Sequence, residues 1–240
     1  MKNFNFKILS LMVLFPVFLF SQGPAESDKH YQQGSLYLQS KMYNEAAMEF
    51  QKAVDLDPNI IEYHKKLGET YERLCEVSKA IAKFQYVIKH NPFDADSHFF
   101  LGNLYFRRKR TGEAIEEFKK AIELDTNFPQ AHLNLGTAYH KQKQLEQAKI
   151  EFENAIRLKS DYARAYTKLG NVYFDKSMID KAISAYHTSL EYDPSSDFTY
   201  YNLGNAYLLK GDLDRACFNW LRAAGLGDKY ANGLFSKHCK

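Results

Sequence analysis

The sequence predicts an all-α protein built as a solenoid of stacked helix pairs. Three observations predict it: a 34-residue period through most of the chain, two helical faces inside each period, and a composition poor in turn formers. Only 12 glycines and 6 prolines occur in 240 residues, which disfavours collagen-like, low-complexity and turn-dense all-β chains. With 45% apolar, 25% charged and 15% aromatic residues, there is material for a packed core and no signature of disorder. The formal charge of +3 is too near balance for the basic footprint of a nucleic-acid binder, so no nucleic-acid partner is expected.

Residues 1–21 differ in kind from the rest. Lys2 and Lys7 precede an apolar run from Ile8 to Phe20, and the polar stretch Ser21-Gln22-Gly23-Pro24 follows. This reads as a secretory signal peptide: 13 apolar residues fit a signal core and fall short of the roughly 17 to 25 that span a bilayer. Residues 22–26 form a linker. The expected location is therefore periplasmic or secreted, the alternative being membrane association through residues 8–20 retained as an N-terminal anchor. Export would place Cys75, Cys217 and Cys239 in an oxidising space, where only Cys217 and Cys239 lie close enough in sequence to be natural partners. An odd set without C-x-x-C spacing supports no zinc site, and the simplest expectation is unpaired thiols.

The period is carried by Leu67-Gly68, Leu101-Gly102, Leu135-Gly136, Leu169-Gly170 and Leu203-Gly204, with Gln33-Gly34 as an imperfect first copy. Three residues after each glycine stands a tyrosine, from Tyr37 to Tyr207. Twelve residues after each glycine stands an alanine, Ala46, Ala80, Ala114, Ala148, Ala182 and Ala216, followed four residues later by Phe50, Phe84, Phe118, Phe152, Tyr186 and Trp220. Leu, Gly and Tyr share one face of a first helix, and Ala with the aromatic share one face of a second. Small residues let the two helices approach, and the large ones fill the space between them.

This pattern resembles the tetratricopeptide repeat (TPR), with His30, His64, His98, His132, Tyr166 and Tyr200 in the slot the family usually fills with tryptophan. The resemblance implies a right-handed α-solenoid of six helix-turn-helix units at residues 27–60, 61–94, 95–128, 129–162, 163–196 and 197–230. A short C-terminal cap or tail, 231–240, follows; Asp228 to Lys237 reads as a short cap over the exposed face of the sixth unit, with Leu234 and Phe235 turned inward. One unit cannot bury enough surface to stand alone, so stability has to arise between neighbours.

No catalytic constellation, phosphate loop or metal-ligand spacing appears, so neither an enzyme, a cofactor nor a metal site is expected. The recurring histidines sit one repeat apart, too far to share a zinc ion. The run Arg107-Arg108-Lys109-Arg110 ends a first helix, where cations complement the dipole.

In the family so resembled, first helices line a concave groove. Transferred to this numbering, the candidate groove residues are Phe99, Asn103, Asn134, Arg164, Lys168, Asn171, Tyr201, Asn202 and Asn205. Asn103 with Asn134, and Asn171 with Asn202, could each grip a peptide backbone, because a side-chain amide offers donor and acceptor together. Arg164 and Lys168 add a constellation similar to the family's carboxylate clamp, although Phe99 stands where a lysine is expected. The expected function is a non-catalytic scaffold holding an extended peptide or helix of a partner protein. The alternatives are a homo-oligomeric assembly factor of the cell envelope and a regulatory subunit of an envelope enzyme.

Overall fold

The computed structural model describes residues 25–239; the expected signal peptide and its anchor alternative lie outside the described residues. Among the described residues there are thirteen helices and no strand. Six pairs follow one another: α1 Glu26–Gln39 with α2 Tyr43–Leu56, α3 Ile61–Arg73 with α4 Val77–His90, and α5 Ala95–Arg107 with α6 Thr111–Leu124. The series continues with α7 Pro129–Lys141 and α8 Leu145–Leu158, α9 Ala163–Asp175 and α10 Ile179–Tyr192, α11 Asp197–Leu209 and α12 Leu213–Gly225, before α13 Lys229–His238. No described helix is long and apolar enough to cross a membrane.

Inside each pair the two predicted faces meet. Phe50, Phe84, Phe118, Phe152, Tyr186 and Trp220 are no more than 1% exposed, each seated on the glycine of its own unit. A Cβ added at Gly170 would stand 2.5 Å from the Tyr186 ring, so this position has to lack one. Each pair turns through a left-handed residue, in order Lys41, Cys75, Lys109, Lys143, Ser177 and Gly211. Only the last is the residue type that adopts this conformation without strain.

Each helix packs on its successor. In addition α3 touches α5, α5 touches α7, α7 touches α9 and α9 touches α11, whereas the second helices make no comparable contact with one another. The first helices therefore form the inner, concave side. This stacking explains Gln33: Leu67, Leu101, Leu135, Leu169 and Leu203 are buried under the preceding pair, but no described helix precedes α1, and Gln33 is exposed. Leu36 is likewise 55% exposed where Leu104, Ala138, Val172 and Ala206 are fully buried.

At the other end α13 lies on α12. The Asp228 carboxylate caps it by accepting the Ala231 N–H at 2.8 Å, Ala231 is fully buried, and Leu234 and Phe235 pack beside Trp220. The expectation of unpaired thiols is overturned for two of the three cysteines. Cys217 and Cys239 form a disulfide, because α13 doubles back along α12 and brings their Cα atoms to 5.6 Å. Cys75 is free and exposed.

Candidate functional site

Both asparagine pairs form across neighbouring first helices. Asn134 Nδ2 donates to Asn103 Oδ1 at 2.7 Å, joining α7 to α5, and Asn202 Nδ2 donates to Asn171 Oδ1 at 3.1 Å, joining α11 to α9. Each bond consumes the carbonyl of the first amide and one N–H of the second. What remains toward the groove is an NH2 donor on Asn103 or Asn171 and a carbonyl acceptor on Asn134 or Asn202. A peptide unit presents the complementary C=O and N–H.

Core aromatics orient two of these amides. Tyr186 Oη donates to Asn171 Oδ1 at 2.8 Å, and Trp220 Nε1 donates to Asn205 Oδ1 at 3.1 Å. The identities of the core rings thus reach into the groove, a link the sequence reading missed. Its signal was present: Tyr and Trp replace Phe in the two units whose groove asparagines they hold.

Two pockets surround the amide pairs. One, of about 290 Å³, has Asn103, Phe106, Asn134 and Thr137 on its walls, with Glu72, Arg107 and Arg164 contributing charge. The other, of about 240 Å³, has Asn171, Phe174, Asn202 and Asn205, with His140 and Asp175. Of the arginine run, Arg107 therefore faces the groove, paired with Glu72 at 3.7 Å, while Arg110 pairs with Glu113 and lies over the Tyr105 ring.

Charge is distributed unevenly along the groove. In its N-terminal half Lys65 is neutralised by Asp94 at 2.9 Å and Asp96 at 3.0 Å, and Lys66 by Glu69 at 3.0 Å. Arg164 and Lys168 make no ion pair among the described residues. They share a third pocket with Asp193, Asp197, Ser195, Ser196 and Phe198, so two carboxylates balance the two cations there, and Lys168 Nζ lies 5.6 Å from the Phe198 ring centroid. Burial, then the adjacent Arg164, draws the Lys168 pKa below the ordinary lysine value.

Two of the nine predicted residues stand apart. Phe99 is half-buried against Phe100, Phe118 and Phe128, and Tyr201 packs on the C-terminal core, so both serve the seams between units as much as the groove.

The histidines have a structural use. His30, His98 and His132 set Nδ1 against Glu49, Glu117 and Glu151 at 2.5, 2.7 and 2.6 Å, pinning first helix to second. In the second unit Lys83 takes the glutamate's place. His64 then donates from Nε2 to the Pro58 carbonyl at 2.8 Å, while its buried Nδ1 has no partner among the described residues. No cluster of potential metal ligands occurs among the described residues.

A concave row of amides and aromatics on stacked helix pairs defines a helical-repeat scaffold for protein–protein interaction. Two family profiles match, one described as TPR repeat over residues 102–143, 138–177 and 170–211, the other as tetratricopeptide repeat over residues 30–60. The solved structure of MamA is 31% identical, with a TM-score of 0.62, covering 69% of this chain and 97% of its own. The chain belongs to the tetratricopeptide repeat family. PilF of Pseudomonas aeruginosa (20% identity, TM-score 0.75, 88% of this chain, 97% of its own) shares the fold. So does YrrB, described as a TPR protein with an unusual peptide-binding site (22%, 0.63, 78% and 97%). No curated protein matches.

Proposed function

We propose that the chain is a non-catalytic scaffold whose concave groove holds an extended segment of a partner protein along α5, α7, α9 and α11. The observation that carries this reading is the pair of half-satisfied amide bridges, Asn103–Asn134 and Asn171–Asn202, each with an open donor and an open acceptor. Arg164, which makes no ion pair among the described residues, lines the Asn103–Asn134 pocket, where with Arg107 it outweighs Glu72 and favours an acidic group on the ligand. The peptide site of YrrB is consistent with this use of the fold. The Cys217–Cys239 disulfide supports an oxidising location, as export through residues 1–21 would provide.

The test is affinity capture from the native envelope fraction with the parent and with Asn134→Ala/Asn171→Ala. The reading requires loss of captured partner at unchanged helicity and melting temperature; equal capture by both proteins would refute it.

The assembly-factor reading is favoured by a separate observation. Phe218 and Leu221 are 62% and 52% exposed on α12, and Tyr230 on α13 is 79% exposed. Mass measurement in solution separates the readings: an oligomer lost in Phe218→Lys/Leu221→Lys but not in the asparagine variant supports assembly.

A further inference from the structure

The two asparagine pockets are copies of each other, two repeats apart. Asn103, Asn134, Phe106 and Thr137 of the first become Asn171, Asn202, Phe174 and Asn205 of the second after a shift of 68 residues. The junctions next to the first pocket lack the motif, since the corresponding positions hold Glu69 with Phe100 and Thr137 with Lys168. A two-repeat period is thus laid over the one-repeat period of the fold.

The copies differ in charge. In the first, Glu72 faces Arg107 at 3.7 Å and Arg164 adds a guanidinium that makes no ion pair among the described residues. In the second, the same two positions are His140 and Asp175, at 2.9 Å. Acid and base have exchanged places. With histidine counted neutral, the first pocket is net positive and the second net negative; Lys143, 3.8 Å from Asp175, lies outside on the rim with 79% of its side chain exposed.

We propose that the groove reads an extended, bipolar peptide, with an acidic side chain at the Arg107–Arg164 pocket, a basic one at the Asp175 pocket, and apolar neighbours covering Phe106 and Phe174. This rests on the peptide-groove reading above. Neighbouring first helices pack about 8–10 Å apart, so the pockets lie about 16–20 Å apart, and an extended chain at about 3.3 Å per residue crosses that distance in about five or six residues. Both amide pairs offer donor and acceptor in the same order, which sets one backbone direction. Along that direction only one order of acid and base avoids like charges.

Fluorescence anisotropy with labelled dodecapeptides tests this. The peptides are blocked at both ends and carry Leu-Glu and Leu-Lys six positions apart in a Ser/Ala background, in either order, with a third version having Gln at both charged sites. One order should bind about tenfold more tightly than the other, and Arg107→Asp/Asp175→Arg should invert the preference. Both side chains are exposed, and circular dichroism confirms folding. Should the double exchange fail to fold, Arg164→Gln should lower affinity for the favoured order about fivefold and, by removing a like charge, raise that for the other order, so that the preference shrinks. Equal binding of both orders, or a preference indifferent to these substitutions, overturns the bipolar reading while binding of the Gln peptide preserves the groove. Failure of all three peptides to bind removes the groove reading itself.

Discussion

The Tyr186 hydroxyl donates to Asn171 Oδ1 at 2.8 Å from a ring that is 1% exposed. One side chain thereby does two things: its ring fills the space above Gly170, and its polar edge aims a groove amide. With Oδ1 shared between Tyr186 and Asn202, the amide of Asn171 is held in a single orientation.

Tyr186→Phe keeps the ring and removes the aim. The expected stability loss is about 0.5–1.5 kcal/mol, the net value of one hydrogen bond. Peptide affinity should fall several-fold while helicity stays constant. Titration calorimetry beside thermal melts checks this, and affinity equal to the parent would show that Asn171 is positioned by Asn202 alone.

Lys83→Glu should complete at His64 the bridge seen at His98–Glu117 and His132–Glu151, raising stability by about 1 kcal/mol. Burial holds the His64 pKa below the ordinary value and lowers that of Lys83 as well, so both resist charging where they sit. For His64 the sign follows directly. The unfolded chain takes up its proton near pH 6.5 and the folded chain only at lower pH, so this contribution is complete above about 6.5 and is lost as pH falls below it. The parent should therefore weaken on acidification through that window, and the variant should weaken less. Denaturant midpoints at pH 7.5 and 5.5 give the comparison; parallel losses in both proteins would refute the account.

Much of the fold was legible because each residue class recurs at one geometric position, and six copies at a fixed spacing leave a single register. Gln33 looked imperfect only until its place in α1, the first of the described helices, was known. The groove was legible in part: Asn103, Asn134, Asn171 and Asn202 follow from position, but their mutual bonds depend on helix spacing, which no sequence offset records. Asp175, Glu72 and the polar edges of Tyr186 and Trp220 were missed because each also fits an ordinary role on a helix surface or in a core. For Cys217 and Cys239 the sequence names the natural pair but not the bond, because two cysteines 22 residues apart become neighbours only when α13 reverses along α12.

The left-handed turn residues give an independent prediction. Lys143 has φ +61°, where an L side chain costs about 1–2 kcal/mol, while glycine's extra chain entropy costs about 0.5–1. Lys143→Gly should then gain a few tenths to about 1 kcal/mol. Cys75→Gly, at φ +59°, should gain similarly and also remove the free thiol. Gly211→Ala, at φ +84°, should lose stability. Melting temperatures of the three variants suffice, and a loss in both glycine variants would mean that these turns are not strained.

Cleaving the disulfide should act locally. In the chain-entropy account a crosslink spanning 22 residues stabilises by about 3 kcal/mol, and here that constraint bears on α13, whose own burial rests largely on Ala231, Leu234 and Phe235. Because units of a solenoid contact only their neighbours, its loss should loosen the C-terminal end first and leave the units before α11 intact. Hydrogen exchange on Cys217→Ser/Cys239→Ser should show protection falling across α13 and α12 and staying unchanged in α3 to α8. Trp220, fully buried beside α13, offers a second readout through a red-shifted emission. Uniform loss of protection along the whole chain would instead mean that the array melts as one unit and that the cap supports every repeat.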